Sequence, residues 1–285
     1  RLRVLDLPDG RLAASWDAPP AEAYRGNCVF YVEDWPPGSP FAYVLVDQTR
    51  VRVLEPEAAG QGLRVRASLP HGSPDPDWSG AWLWDPQDGR GPRILVGRRS
   101  GIQIFEWGDA GLRVRPWITE PPNSDRAVRV WDPQGDGRSG LLVGPGPWGG
   151  YRLEWWVPYG ADFEHRRTWA LAPQDQIYMT LADLDRDGRK EAWVANWKHR
   201  NNPEFNLYFR TLPEGLYRLD RPEAEPQRVP VERTAELPLE FNIHTMRGPD
   251  GDWLLGNKDG ISFALVGSGD GLRPLRLRQS LQSFA

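Results

Sequence analysis

The sequence contains one cysteine, Cys28, so it can form no internal disulfide and no thiolate cluster for zinc. It has four histidines, His71, His165, His199 and His244, and none sits in a His-Glu-x-x-His pair. A Gly-x-Ser-x-Gly elbow and a phosphate-binding glycine loop ahead of a helix are also missing. No run of 18 apolar residues occurs, which excludes a membrane-spanning helix. With 35 Lys and Arg against 39 Asp and Glu, and a net charge of -4, the chain lacks the basic footprint of a nucleic-acid binder. Lysine is scarce beside arginine, a bias that reads as GC-rich coding and carries no functional weight. No segment keeps a 3.6-residue apolar period, so little helix is expected. Cys28 opens the apolar stretch Asn27-Cys-Val-Phe-Tyr31 without an adjacent base, the setting of a small buried hydrophobe.

What the chain does have is turn formers and tryptophan: Gly 30, Pro 28 and Trp 15 in 285 residues. The hydrophobic fraction of 39% is modest, and each buried indole compensates by covering a large apolar area. A repeat runs through most of the chain. Four copies of an apolar strand leading to a turn begin at Ala81–Asp85, Val128–Asp132, Met179–Asp183 and Ile243–Arg247, and a fifth, more divergent copy stands at Val29–Asp34. Second strands follow at Tyr43–Val46, Ile94–Gly97, Leu141–Gly144, Ala192–Asn196 and Trp253–Asn257. Third strands are expected at Val51–Leu54, Ile102–Phe105, Tyr151–Trp155, Leu207–Phe209 and Ile261–Leu265. Gly62-Leu-Arg-Val-Arg66, Gly111-Leu-Arg-Val-Arg115 and Gly271-Leu-Arg273 are near copies that open fourth strands. The acidic turns at Asp34, Asp85, Asp132 and Asp183 recur at about 50 residues, the length of one four-stranded propeller blade. Insertions from Trp197 to Asn206 and from Pro222 to Pro238 lengthen the last step. Leu2–Leu7 and Gly10–Ala14 supply two further strands. The expected fold is therefore all-β: a single β-propeller domain over 1–285, with five full four-stranded antiparallel blades and an N-terminal half-blade. It would be five- or six-bladed, with Ser280–Phe284 available to help close the ring from the other terminus.

One turn carries a metal pattern. Calcium takes six to eight oxygen ligands, and short loops provide them from carboxylates at alternate positions with a glycine at the sharp bend. In Asp183-Leu-Asp-Arg-Asp-Gly-Arg-Lys-Glu191, the residues Asp183, Asp185 and Asp187 hold positions one, three and five. Gly188 makes the bend, Arg189 offers its backbone carbonyl, and Glu191 closes the loop at position nine. An EF-hand would need twelve residues between two helices, whereas this loop joins two strands. Asp132-Pro-Gln-Gly-Asp-Gly-Arg-Ser-Gly140 keeps Asp132, Gln134 and Asp136 but ends on Gly140, which should weaken it sharply. Asp85–Gly89 and Asp250-Gly-Asp252 read as plain turns.

Asp183 to Asn196, followed by Asn206–Phe209 and Gly215-Leu-Tyr217, resembles the FG-GAP/VCBS repeat, also seen in integrin α-chain propellers. The resemblance covers most of the chain as a repeat and is sharp in this blade. It implies a calcium loop that staples a blade and performs no chemistry.

Antiparallel strand order puts the loops between strands one and two on one rim and the loops between strands two and three on the opposite rim. That opposite rim carries Trp148 in Gly144–Gly150, and Trp197, His199, Asn201 and Asn202 in the insertion. His71 and Trp78 lie in a connection on the same side. Indole faces with amide donors suit sugar rings. Tryptophans within or beside strands (Trp82, Trp84, Trp107, Trp131, Trp155, Trp169 and Trp193) are expected to pack between blades. The expected function is a non-enzymatic, exported, calcium-stabilised binding or scaffold module for a protein or saccharide partner. The alternatives are a carbohydrate-active protein, whether lectin or polysaccharide-cleaving enzyme, using the tryptophan rim, and a structural adaptor for another domain. The chain opens on Arg1, which accommodates a removed leader, and calcium loops suit extracytoplasmic calcium.

Overall fold

A computed structural model describes residues 2–5, 12–16, 28–47, 49–57, 62–71, 78–98, 101–118, 127–144, 152–159, 162–170, 178–196, 212–232, 242–248, 251–258, 261–268 and 271–276. The chain divides into two units, Arg1–Glu120 and Pro121–Ala285. The first unit begins with a hairpin of β1 (Leu2–Leu5) and β2 (Leu12–Trp16). Its first blade is β3 (Cys28–Glu33), β4 (Phe41–Val46), β5 (Arg50–Pro56) and β6 (Leu63–Pro70). Its second is β7 (Trp78–Trp84), β8 (Arg93–Arg98), β9 (Gly101–Gly108) and β10 (Gly111–Ile118).

The second unit holds three blades. The third blade is β11 (Ala127–Trp131), β12 (Gly140–Gly144), β13 (Arg152–Tyr159) and β14 (Asp162–Ala170). The fourth is β15 (Tyr178–Ala182), β16 (Glu191–Asn196), β17 (Gly215–Leu219) and β18 (Gln227–Val229). The fifth is β19 (Asn242–Gly248), β20 (Gly251–Lys258), β21 (Ile261–Ser268) and β22 (Gly271–Arg276). Every blade is an antiparallel meander in chain order, and β15 lies beside both β11 and β19. The fold is all-β, of the propeller type with four-stranded blades, and the hairpin is the expected half-blade.

Burial explains which sequence patterns were clear. A middle strand that is buried on both faces loses the period-2 alternation and becomes continuously apolar. All five residues of β12 and all six of β16 are buried. Outer strands keep polar faces, as β6 does with Arg64 and Arg66 exposed. Trp84, Trp131, Trp155, Trp169 and Trp193 are all buried. Trp131, Trp155 and Trp169 of the third blade share a cluster with Met179, Val194 and Tyr217 of the fourth. Cys28 is half-buried and packs against the apolar cluster between the first two blades.

The structure also accounts for the Gly-Leu-Arg-Val-Arg copies. In the first blade Arg64 and Arg66 of β6 both grip the buried Glu55 of β5, at 2.8 and 3.0 Å. In the second, Arg113 and Arg115 of β10 approach Glu106 of β9, at 3.1 and 3.5 Å. Alternation along the outer strand puts both arginines on one face, and that face meets the glutamate.

One strand assignment is corrected. The third strand of the fourth blade is β17, Gly215–Leu219, and not Leu207–Phe209, which lies outside the described residues. Asn196 pairs with Gly215 in register, and its side-chain amide donates to the carbonyls of Leu212 and Pro213, each at 3.1 Å. These bonds fix where the chain rejoins the sheet. The fourth strand is β18, within the stretch read as a second insertion.

Candidate metal centre

The loop from Asp183 to Lys190 joins β15 to β16, and Glu191 is the first residue of β16. Its path is set by carboxylates accepting backbone amides. Asp183 Oδ2 accepts the Gly188 amide at 3.1 Å, and Asp187 Oδ1 accepts the Arg189 amide at 2.8 Å. Two residues have left-handed backbone, Arg186 at φ 63° and Gly188 at φ 88°. The loop curls so that Asp183, Asp185, Asp187 and Glu191 each bring one carboxylate oxygen within 4.8 Å of the others.

That spacing fits one hard cation. Calcium–oxygen distances of about 2.3–2.6 Å put opposed ligands roughly 4.6–5.2 Å apart. The donor set is all oxygen, the preference of calcium and magnesium and not of zinc. Asp185 and Asp187 are exposed, whereas Asp183 is half-buried and Glu191 buried. Asp183 Oδ1 is buried with no hydrogen-bond partner among the described residues. Glu191 is 4% exposed, and burial pushes its carboxyl up to about 7, against the opposing pull of the Leu184 amide and Arg218. Burial in this position disfavours the charged form of the carboxyl.

Neighbouring blades support the loop from both sides. The Asp183 amide donates to Asp252 Oδ2 at 3.0 Å, and Asp252 belongs to β20 of the fifth blade. Trp131 of the third blade donates its indole N–H to the Lys190 carbonyl at 2.6 Å. Asp252, read from sequence as part of a plain turn, is thus a missed contributor; it is 8% exposed and also pairs with Arg247 at 3.1 Å. Its partner lies 69 residues away, so no local pattern could reveal it.

The Asp132 loop is built alike but holds no such cluster. Asp132 Oδ1 accepts the Gly135 amide at 2.8 Å, and Oδ2 accepts the Gly137 amide at 2.8 Å. Asp85 likewise accepts the Gln87 amide at 2.9 Å, as expected of a plain turn.

The opposite rim is only partly described. Trp148, Trp197, His199, Asn201 and Asn202 lie outside the described residues, as does Ser280–Phe284. His71 stands in the connection after β6, against the β4–β5 turn on that rim, but it is only 2% exposed: its Nε2 lies 2.6 Å from the Asp47 carbonyl and its ring meets Phe105 edge-on, so it offers no open face to a ligand. Trp78 lies in β7 and not in a connection.

No protein-family model matches the sequence, and no curated protein does. Among solved structures the chain is similar to BBS1N, crystallised in complex with ARL6DN and soaked with lead. The identity is 13% and the TM-score 0.49, over 86% of this chain and 66% of that one. No helix among the described residues is long and apolar enough to cross a membrane.

Proposed function

We propose that this chain is a calcium-stabilised binding module of the FG-GAP/VCBS kind, exported to calcium-rich surroundings. In this reading calcium clamps the β15–β16 loop and a protein or saccharide partner docks on the rim opposite. The observation that carries the calcium reading is the convergence of four carboxylates within 4.8 Å, one of whose oxygens is buried without a partner among the described residues. Asp183, Asp185, Asp187 and Glu191 would hold the ion, with the Arg189 carbonyl as the backbone ligand. The ion would supply positive charge to a buried anionic loop and tie β15 to β16, with no catalytic step.

The docking half of the reading rests on topology and composition. The connection from β16 to β17 leaves the blade at the end opposite the acidic loop. It carries Trp197, His199, Asn201 and Asn202, and Trp148 lies on the equivalent connection of the third blade.

Isothermal titration with calcium, and melting with and without chelator, test the first half. Heat of binding with a melting temperature that rises in calcium is expected, and no binding together with unchanged melting overturns it. A glycan array and a pull-down with Trp148→Ala and Trp197→Ala test the second half. Any ligand found should lose binding in both variants, and full retention in both overturns the assignment of the rim.

A further inference from the structure

We propose that Arg218 is a built-in counter-cation of the acidic loop, one that holds the ion-free state together and competes with calcium for it. The proposal rests on the calcium reading above. Arg218 belongs to β17 and stands opposite Trp193 in register, so alternation puts Arg218 and Asp220 on the same face as Glu191 and Trp193. From there the guanidinium reaches into the loop. One of its terminal nitrogens lies 2.5 Å from Asp185 Oδ2 and 3.9 Å from Glu191 Oε1, and its Nε binds Asp220. Two of the four converging carboxylates are therefore already facing a positive charge that the blade itself supplies.

The same geometry makes that charge a competitor. An ion about 2.3–2.6 Å from these oxygens would stand within roughly 6 Å of the guanidinium, with two positive centres sharing one set of anions. The Arg218 side chain is 26% exposed, which leaves it room to swing toward solvent and lets water screen part of the repulsion. Arg218 thus sets the affinity: it makes the loop tolerant of calcium loss and calcium binding weaker than the four carboxylates alone would give. The site would then respond to the calcium concentrations of extracytoplasmic space and not to traces.

The test is calcium titration of the full chain and of Arg218→Met, with melting of both in chelator. The variant should bind calcium about tenfold more tightly and melt lower when chelated. A purely structural arginine would give the lower melting temperature with equal or weaker calcium binding, and that result overturns the proposal. Crystal structures of the unsubstituted chain with and without calcium decide it independently of how the variant folds. The Arg218–Asp185 contact should open in the calcium form, and an unmoved guanidinium still on Asp185 overturns the proposal. If the unsubstituted chain and Arg218→Met both fail to bind calcium, the calcium reading itself falls and takes the competition with it.

Discussion

The Asp132 and Asp183 loops occupy the same place in adjacent blades, and their backbones nearly superpose in character. In each, the leading aspartate accepts the amide of the glycine five residues on, Gly137 at 2.8 Å and Gly188 at 3.1 Å. In each, the fourth and sixth positions are left-handed: Gly135 at φ 69° with Gly137 at 85°, and Arg186 at 63° with Gly188 at 88°. The loops part at the ninth position. Glu191 fills it in one, while in the other a Cβ on Gly140 would come 2.4 Å from the Trp155 indole and 2.6 Å from the Trp156 carbonyl oxygen. Trp155 stacks edge-on against Trp131, at 5.4 Å, within the cluster shared with the fourth blade. The difference teaches that the turn and the carboxylate cluster are separable. An aspartate and a glycine suffice for the turn, and the space of the ninth-position carboxylate can be given over to the core.

The sharpest way to break this comparison is to transplant the ligand. Gly140→Glu should destabilise the protein by about 3 kcal/mol or more, because the new side chain overlaps Trp155 and buries a charge. Calcium should not rescue it, which denaturant unfolding with and without the ion will measure. A calcium-dependent recovery would mean that the Asp132 loop lacks only the missing carboxylate. The complementary removal, Glu191→Gln, should abolish the calcium-dependent part of stability. That part is worth about 2.7 kcal/mol at a hundredfold excess of calcium over its dissociation constant. Melting of the variant in calcium and in chelator should then coincide.

The shared turn is tested by glycine. Gly137→Ala and Gly188→Ala both place a side chain at a positive φ with nothing crowding the Cβ, so only backbone strain is at issue. Each should cost about 1 kcal/mol in chelator, and the two costs should match. Unequal losses by denaturant unfolding would show that the loops are less alike than their hydrogen bonds suggest.

Much of this was legible in the sequence because it is local. The acidic turns, the continuous apolar second strands and the Gly-Leu-Arg-Val-Arg copies each depend on residues a few positions apart. The four carboxylates that converge in space likewise stand within nine residues of one another. What failed depended on pairing across the chain. Leu207-Tyr-Phe209 is as strand-like as Gly215-Leu-Tyr217, and only the bonds from Asn196 to Leu212 and Pro213 decide between them. The missing carboxylate at Gly140 was visible, but the crowding there by Trp155 on another strand was not. Asp252 looked like a turn residue because its partner, Asp183, is in the preceding blade. His71 looked exposed because its connection is polar, whereas its ring is held by the Asp47 carbonyl.

The smallest expected effect concerns Arg189, the second arginine that pairs with the acidic loop. Its guanidinium holds Asp187 at 2.6 and 3.0 Å, and these bonds hold the Asp187 carboxyl below the usual range. Both side chains are exposed, however, and an exposed pair between residues two apart adds little to folding. Arg189→Ala should melt within error of the unsubstituted protein, and calcium binding should tighten by less than about threefold, since solvent already screens the charge it removes. Arg218, reaching in from β17 toward Asp185 and the buried Glu191, should move both quantities much further. Titrating the two variants side by side separates position from mere charge. If Arg189→Ala matched the tightening in Arg218→Met, net charge near the loop, and not the guanidinium held over Asp185 and Glu191, would control the affinity.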